Sequence, residues 1–195
     1  MKRIVLFALL AMVACSTKEV PYEDEIAAWR SEKDRFMRSS ESPVVESQRA
    51  DFPPLPYFPT NVEYRVPAAL RVAPAEDILD MPTSTGQRRK MQRVGALEFT
   101  LKGEALKLTA FADASDTALL RLFVPFGDRT NGNETYPGGR YLDLDRTATG
   151  IYDLDFNRAY HPFCLFNATY DCPVPPRENR LPVPIRAGEK LAQAK

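Results

Sequence analysis

Between Val62 and Asn157 the chain is cut into short segments in which apolar and polar residues alternate. This period of two constrains the fold more than any other feature, because it is the signature of strands that bury one face. "VEYRVPAALRV" alternates in part. "MQRVGALEFTLKG" and "EALKLTAFAD" predict a hairpin turning at Lys102-Gly103-Glu104. Val94, Leu97, Phe99 and Leu101 are the apolar residues of its first arm; Leu106, Leu108, Ala110 and Phe111 are those of its second. "ALLRLFVPFGD" is nearly continuous in apolar residues and predicts a central strand. "RYLDLD" and "IYDLDFN" alternate again and nominate Tyr141, Leu142, Leu144, Ile151, Leu154 and Phe156 for the core. "RLPVPIRAGEKL" predicts a last strand, placed at an edge because its prolines lack backbone donors. The 17 prolines outnumber the 9 glycines and mostly flank these runs, which suits turns, edges and extended coil. No βαβ alternation and no internal repeat interrupts the pattern. The expected fold is mostly β (α+β), an antiparallel β-barrel or sandwich preceded by one amphipathic N-terminal helix.

That helix is expected over residues 21–38. Pro21 suits a first turn, Glu23, Asp24 and Glu25 sit where the helix dipole favours anions, and Arg35 and Arg38 sit where it favours cations. Ile26, Trp29, Lys33, Phe36 and Met37 share one face, with the alkyl stem of Lys33 lying along it. The stretch "SPVVESQRADF" has room for one more short helix, and residues 53–59 should be extended and pinned by their aromatic residues.

Ahead of the helix, Lys2 and Arg3 precede an unbroken apolar run from Ile4 to Ala14. The run is too short to cross a bilayer of about 30 Å as a helix, but it has the length of a signal-peptide core. It ends in Met12-Val13-Ala14-Cys15, which resembles a bacterial lipobox. Residues 1–14 are therefore expected to be a lipoprotein signal, Cys15 the acylated residue, 15–20 a polar tether and 21–195 a single β-rich domain. Loss of the first 14 of 195 residues leaves 181. Ser16 rather than aspartate follows the cysteine, and the resemblance to Gram-negative sorting signals then implies the outer membrane, facing the periplasm, as the expected location. The membrane is then a partner through the acyl anchor.

The 26 basic and 26 acidic residues balance; without Lys2 and Arg3 the numbers are 24 and 26, a net charge of −2. A nearly neutral surface argues against nucleic acid as a partner. The densest polar cluster is "GDRTNGNETYPGGRYLDLD", which directly follows the apolar strand. Asp128 and Glu134 in it are candidates for an acid–base pair of a carboxylate-dependent hydrolase. Asp128, Asn131, Glu134, Tyr136, Arg140 and Tyr141 are candidates for a binding surface, in which Arg140 would clamp a carboxylate or phosphate and the tyrosines would stack on a ring. The competing reading is a long ordered turn in which Asp and Asn cap backbone amides. Its spacing fits neither an EF-hand nor a phosphate loop. "PTSTGQRRKMQR" is a second, anion-binding candidate through its hydroxyls and Arg88, Arg89, Lys90 and Arg93.

"YHPFCLFNATYDCPVPPRENR" holds the chain's one histidine and two of its three cysteines. Cys164 and Cys172 stand eight positions apart, and in an exported chain oxidation to a disulfide is the ordinary fate. The pairing would suit a hairpin with Asn167-Ala168-Thr169 as its loop. A zinc site from His161, Cys164 and Cys172 matches no common spacing and lacks a fourth ligand. A Cys164–His161 catalytic pair lacks an orienting residue and needs a free thiol. No metal and no cofactor is called for.

"PYFPTNVEYRV", "PTSTGQRRKMQRVGALEFTLKG", "LFVPFGDRTNGNETYPGGRYLDLD", "DFNRAYHPFC" and "CPVPPRENRLPVPIRAGEK" together resemble a bacterial family catalogued as domain of unknown function 1684. The likeness spans roughly residues 29–190, and at His161 the family pattern usually carries asparagine. It implies no particular activity. The chain is therefore expected to be a lipid-anchored envelope protein, non-catalytic, that binds a small polar ligand or an envelope partner. The hydrolase and a purely structural envelope role are the alternatives, the common Ser- and His-based hydrolase motifs being absent.

Overall fold

The computed structural model describes residues 20–74, 77–115 and 121–192. The expected signal at 1–14, Cys15 and all of the tether but Val20 lie outside the described residues. Helix α1 runs Tyr22–Met37 with Pro21 as its N-cap, and α2 is the four residues Glu46–Arg49. Seven strands follow: β1 Arg65–Val72, β2 Ile78–Pro82, β3 Arg88–Leu101, β4 Glu104–Asp113, β5 Arg121–Phe126, β6 Arg140–Asp145 and β7 Ile151–Asp155.

They form one antiparallel sheet in the order β6-β5-β4-β3-β1-β7, with β2 paired to β3 beside this path. The free ends of the path come back together. Tyr160, just beyond β7, exchanges backbone hydrogen bonds of 2.9 and 3.0 Å with Tyr141 in β6. The sheet is therefore barrel-like and nearly closed.

The hairpin between β3 and β4 forms where alternation placed it. Leu101 pairs with Glu104 across Lys102 and Gly103, both at positive φ (50° and 85°), the left-handed pair that suits the twist of a two-residue hairpin. β3 is long enough to take two partners on one side. Its residues 88–92 pair with β2 and its residues 95–99 with β1. The switch coincides with a bulge against β4 between Arg93 and Gly95. There the backbone comes so close to β1 that a Cβ on Gly95 would meet the Arg71 carbonyl oxygen at 2.3 Å.

The main core is the inner face of the sheet. It includes Leu97, Leu108, Leu122, Val124, Phe126, Leu142, Leu154 and Phe156, together with Leu181, Ile185 and Ala187 from the C-terminal segment. Of the core nominees, Ile151 is instead exposed. α1 is docked by Ile26 and Met37, both fully buried, and by Tyr22, whose hydroxyl donates to Asp155 Oδ1 at 2.8 Å and accepts from Asn157 Nδ2 at 2.8 Å. Trp29 is only half-buried, edge-on to Tyr57 at 6.3 Å.

Two expectations are corrected. The C-terminal "RLPVPIRAGEKL" is not a strand but a coil crossing the core. Its alternating carbonyls at Ile185, Ala187 and Glu189 accept hydrogen bonds from the Arg140 guanidinium instead of from a neighbouring strand. The hairpin expected around Asn167 is likewise absent: Phe163–Leu165 is a 3-10 turn, and the Asn167 carboxamide accepts the Thr169 backbone N–H at 3.0 Å.

Candidate functional site

The loop from Gly127 to Gly139 is built on Asp128. Its Oδ1 accepts from the Thr130 backbone N–H at 2.8 Å, the Thr130 hydroxyl at 2.6 Å and the Ile185 N–H at 3.1 Å. Its Oδ2 accepts from Arg140 Nη2 at 2.9 Å, and both side chains have no solvent exposure. Burial pulls the Arg140 guanidinium below its ordinary value and Asp128 opposes that shift. Asn131 closes the turn: Oδ1 accepts from the Asp128 N–H at 2.6 Å, and Nδ2 donates to Thr135 Oγ1 at 2.9 Å and to the Tyr136 carbonyl at 3.0 Å. Glu134 receives both of its bonds, 3.0 and 2.9 Å, from Arg186 Nε.

The six candidates are thus not gathered around one cavity. Asp128, Asn131 and Arg140 are committed to each other and to the backbone. Asp128, with no solvent-facing oxygen, is not placed to relay a proton to Glu134, and Glu134 is held by Arg186. Tyr136 is half-buried beside His161, its backbone N–H donating to His161 Nε2 at 3.3 Å. Tyr141 alone of the six lines the cleft described next.

That cleft, of about 380 Å³, lies between the sheet and a strap made of residues 160–174. β3 contributes Arg89 and Met91, β4 Asp113, β5 Phe123 and β6 Tyr141; the strap contributes Tyr160, Phe163, Tyr170, Asp171, Cys172 and Pro173. The strap is tied at both ends. At one end Tyr160 bridges to Tyr141. At the other, Ser84 N–H donates to the Cys172 carbonyl at 2.8 Å, Cys172 N–H to Ser84 Oγ at 3.0 Å, and Val174 N–H to the Pro82 carbonyl at 2.8 Å. Thr85 Oγ1 adds a bond to Asp171 Oδ1 at 2.6 Å. The Ser84 and Thr85 hydroxyls of "PTST" therefore hold the strap, while Arg89 from the same basic run faces the cleft. Arg93 is spent on Asp77 at 2.8 Å and Glu178 at 3.1 Å.

Five aromatic rings wall the cleft. Tyr141 stands edge-on to Phe123 at 4.7 Å and to Tyr160 at 5.7 Å. Burial raises the phenols of Tyr141 and Tyr160 well above the ordinary tyrosine value, and Asp143 adds to the effect at Tyr160. The hydroxyls are satisfied, that of Tyr141 by the Pro173 carbonyl and that of Tyr160 by Asp143 Oδ2 at 2.8 Å. These rings offer a ligand apolar faces, with Arg89, Asp113 and Asp171 as the polar groups around them.

Cys164 and Cys172 are free thiols in this structure, so the expected bridge is not made. They are neighbours all the same: Cys164 N–H donates to Cys172 Sγ at 3.1 Å. Burial pushes the Cys172 thiol up to about 12, which keeps it protonated at neutral pH. His161 is buried and pushed down to about 3, first by burial and then by Arg140 and Lys33. Its backbone N–H donates to Glu189 Oε2 at 2.8 Å, and its Nδ1 lies 3.5 Å from the same oxygen. Among the described residues no group of three or more His, Cys, Asp or Glu side chains is gathered as metal ligands would be.

Sequence reasoning did not single out Met91, Asp113, Phe123, Phe163 or Tyr170 as cleft residues. The aromatic density of "YHPFCLFNATYDC" was the available signal. What it could not supply was the sheet surface beneath the strap.

No curated protein matches the chain. Among solved structures it is similar to an uncharacterized protein from gene locus rrnAC0354 of Haloarcula marismortui, determined by solution NMR. The two are 39% identical with a TM-score of 0.68, over 87% of this chain and 94% of that one. Residues 50–190 match the family described as a protein of unknown function, DUF1684, and the chain belongs to that family.

Proposed function

We propose that this protein is a non-catalytic binding module, held on the outer membrane by an acylated Cys15, whose small ligand seats in the cleft beneath the 160–174 strap. The observation that carries the reading is the wall of five aromatic rings with one arginine and two carboxylates around about 380 Å³. This is the composition of a small-molecule site, mostly apolar with a few placed polar groups. The ligand class is a planar or ring-shaped molecule carrying polar substituents, stacked against Phe163 and Tyr170 and reached by Arg89. The anchor rests on the lipobox-like "MVAC" and on the short tether, which would keep α1 and the sheet close to the bilayer. In the oxidising envelope Cys164 and Cys172 pair and lock the strap over the cleft.

Native mass spectrometry of the acylated protein purified from its host tests this reading. A small-molecule adduct is expected on the wild-type protein and is lost in Phe163→Ala and Arg89→Ala. A bare protein, with no member of a library of planar ligands raising the melting temperature, would refute the cleft. A Cys15→Ala protein that still pellets with membranes would refute the anchor.

A further inference from the structure

A second cavity of about 340 Å³ lies between α1 and β6, adjoining the cleft at Tyr160 and Phe163. We propose that it is a saccharide-binding groove. Its aromatic faces are Trp29, Tyr160 and Phe163, and its charged groups are of both signs: Lys33 and Arg158 among the cations, Asp143 and Asp145 as the anions.

The state of these charges decides the ligand class. Arg158 is ion-paired with Glu25 and lies 3.5 Å from Asp155. Asp143 accepts one bond, from Tyr160, and keeps its other oxygen. Asp145 is 89% exposed and forms a surface ion pair through Oδ1 with Arg121 Nε at 3.6 Å, which leaves Oδ2 facing solvent. Lys33 Nζ rests 4.2 Å over the Tyr160 ring and 4.0 Å from Glu189, beyond hydrogen-bond distance. No described residue accepts a hydrogen bond from it, and its side chain is 17% exposed. A largely buried ammonium, held by Glu189 only at 4.0 Å, thus lines one small groove together with two carboxylates that are each engaged through one oxygen.

An anionic ligand would meet the two aspartates and a cationic one the lysine and arginines. A neutral ligand whose groups both donate and accept satisfies the two sets together. Hydroxyl groups do this, donating to Asp145 and accepting from Lys33. The C–H face of a sugar ring packs on Trp29 and Tyr160 as apolar surface does on aromatic rings. The groove shares the Tyr160 and Phe163 rings with the cleft beneath the strap but takes Trp29 and its charged groups from residues that do not line that cleft, so its ligand does not depend on the reading of that cleft.

Trp29 is the single tryptophan of the chain and lines this groove but not the cleft, so its emission is the direct probe of the groove. The full chain is titrated with N,N′-diacetylchitobiose and with maltose, and, as charged controls, with benzoate and choline. A saturable change in Trp29 emission with a disaccharide, absent with both controls, is expected. Asp145→Asn, at an exposed strand end whose ion pair with Arg121 lies at the surface, should weaken that binding roughly tenfold, the effect of losing one charge-assisted hydrogen bond. A response to neither disaccharide overturns the proposal. So does a stronger response to benzoate or choline, or disaccharide binding unchanged in Asp145→Asn.

Discussion

Arg140 donates to Asp128 and to the carbonyls of Ile185, Ala187 and Glu189 from a position without solvent access. Removing one partner of such a buried pair leaves a charge and three carbonyls uncompensated, at a cost of about 3–5 kcal/mol. Arg140→Met should therefore lower the unfolding free energy by about that amount in urea titration, whereas Arg186→Ala, the exposed partner of the half-buried Glu134, should cost less than about 1 kcal/mol. The buried histidine and glutamate give a second prediction. Glu189 is raised from 4.5 to about 7, by burial first, with Asp34 adding and Lys33, the His161 N–H and Arg140 opposing. A raised carboxyl contributes stability that is complete below pH 4.5 and is lost as pH rises through 7. His161 is depressed from 6.5 to about 3, so its contribution is complete above pH 6.5 and is lost as pH falls toward 3. Between pH 4.5 and 6.5 the two oppose each other. Relative to the native protein, Glu189→Gln should gain stability with rising pH in that window, and His161→Asn should lose it, each with a slope of up to about 1.4 kcal/mol per pH unit. Chemical denaturation across pH 4–8 reads both, and parallel profiles for all three proteins would contradict the assignment. Nothing in the sequence around Glu189 marks it as buried; that follows from the coil it sits on.

At the scale of elements, legibility tracked the hydrophobic period. β4 occupies the segment that alternation named, β1, β6 and β7 lie within theirs, and α1 runs within the 21–38 that its caps and charges marked. β2 was missed, because "ILDMP" is short, carries one aspartate and ends in proline, and it pairs only as an edge on β3. The C-terminal coil was mistaken for a strand because extended, Pro-punctuated sequence looks the same whether its carbonyls face a strand or a guanidinium. The strap was mistaken for a hairpin for a related reason: its order comes from Ser84, Thr85, Pro82 and Tyr141, none of them local to it. Its two cysteines yield a further prediction. Oxidation closes a loop of nine residues, which in the chain-entropy account adds about 2.5 kcal/mol. The melting temperature of the oxidised protein should fall on addition of dithiothreitol, while Cys164→Ser/Cys172→Ser should melt as the reduced protein does and be indifferent to reductant.

For the molecule as a whole, the antiparallel β class with one docked N-terminal helix could be derived from sequence, and so could most of the apolar residues that fill it. These properties are local: a period of two, a turn with two left-handed residues and a capped amphipathic face each act over a few neighbouring positions. Membership of the family was equally legible, since its motifs are contiguous runs. The placement of a site was not. "GDRTNGNETYPGGR" has the composition of a binding loop, and three of the five candidates in it turned inward because the closing sheet and the crossing coil surround them. The cleft draws Arg89, Asp113, Phe123, Tyr141 and Tyr170 from four strands and a loop, and the groove faces Trp29 toward Asp145 across more than a hundred residues of chain. Which polar groups are spent on the fold and which stay open to a ligand depends on distances between segments remote in sequence, and only the folded chain sets those distances.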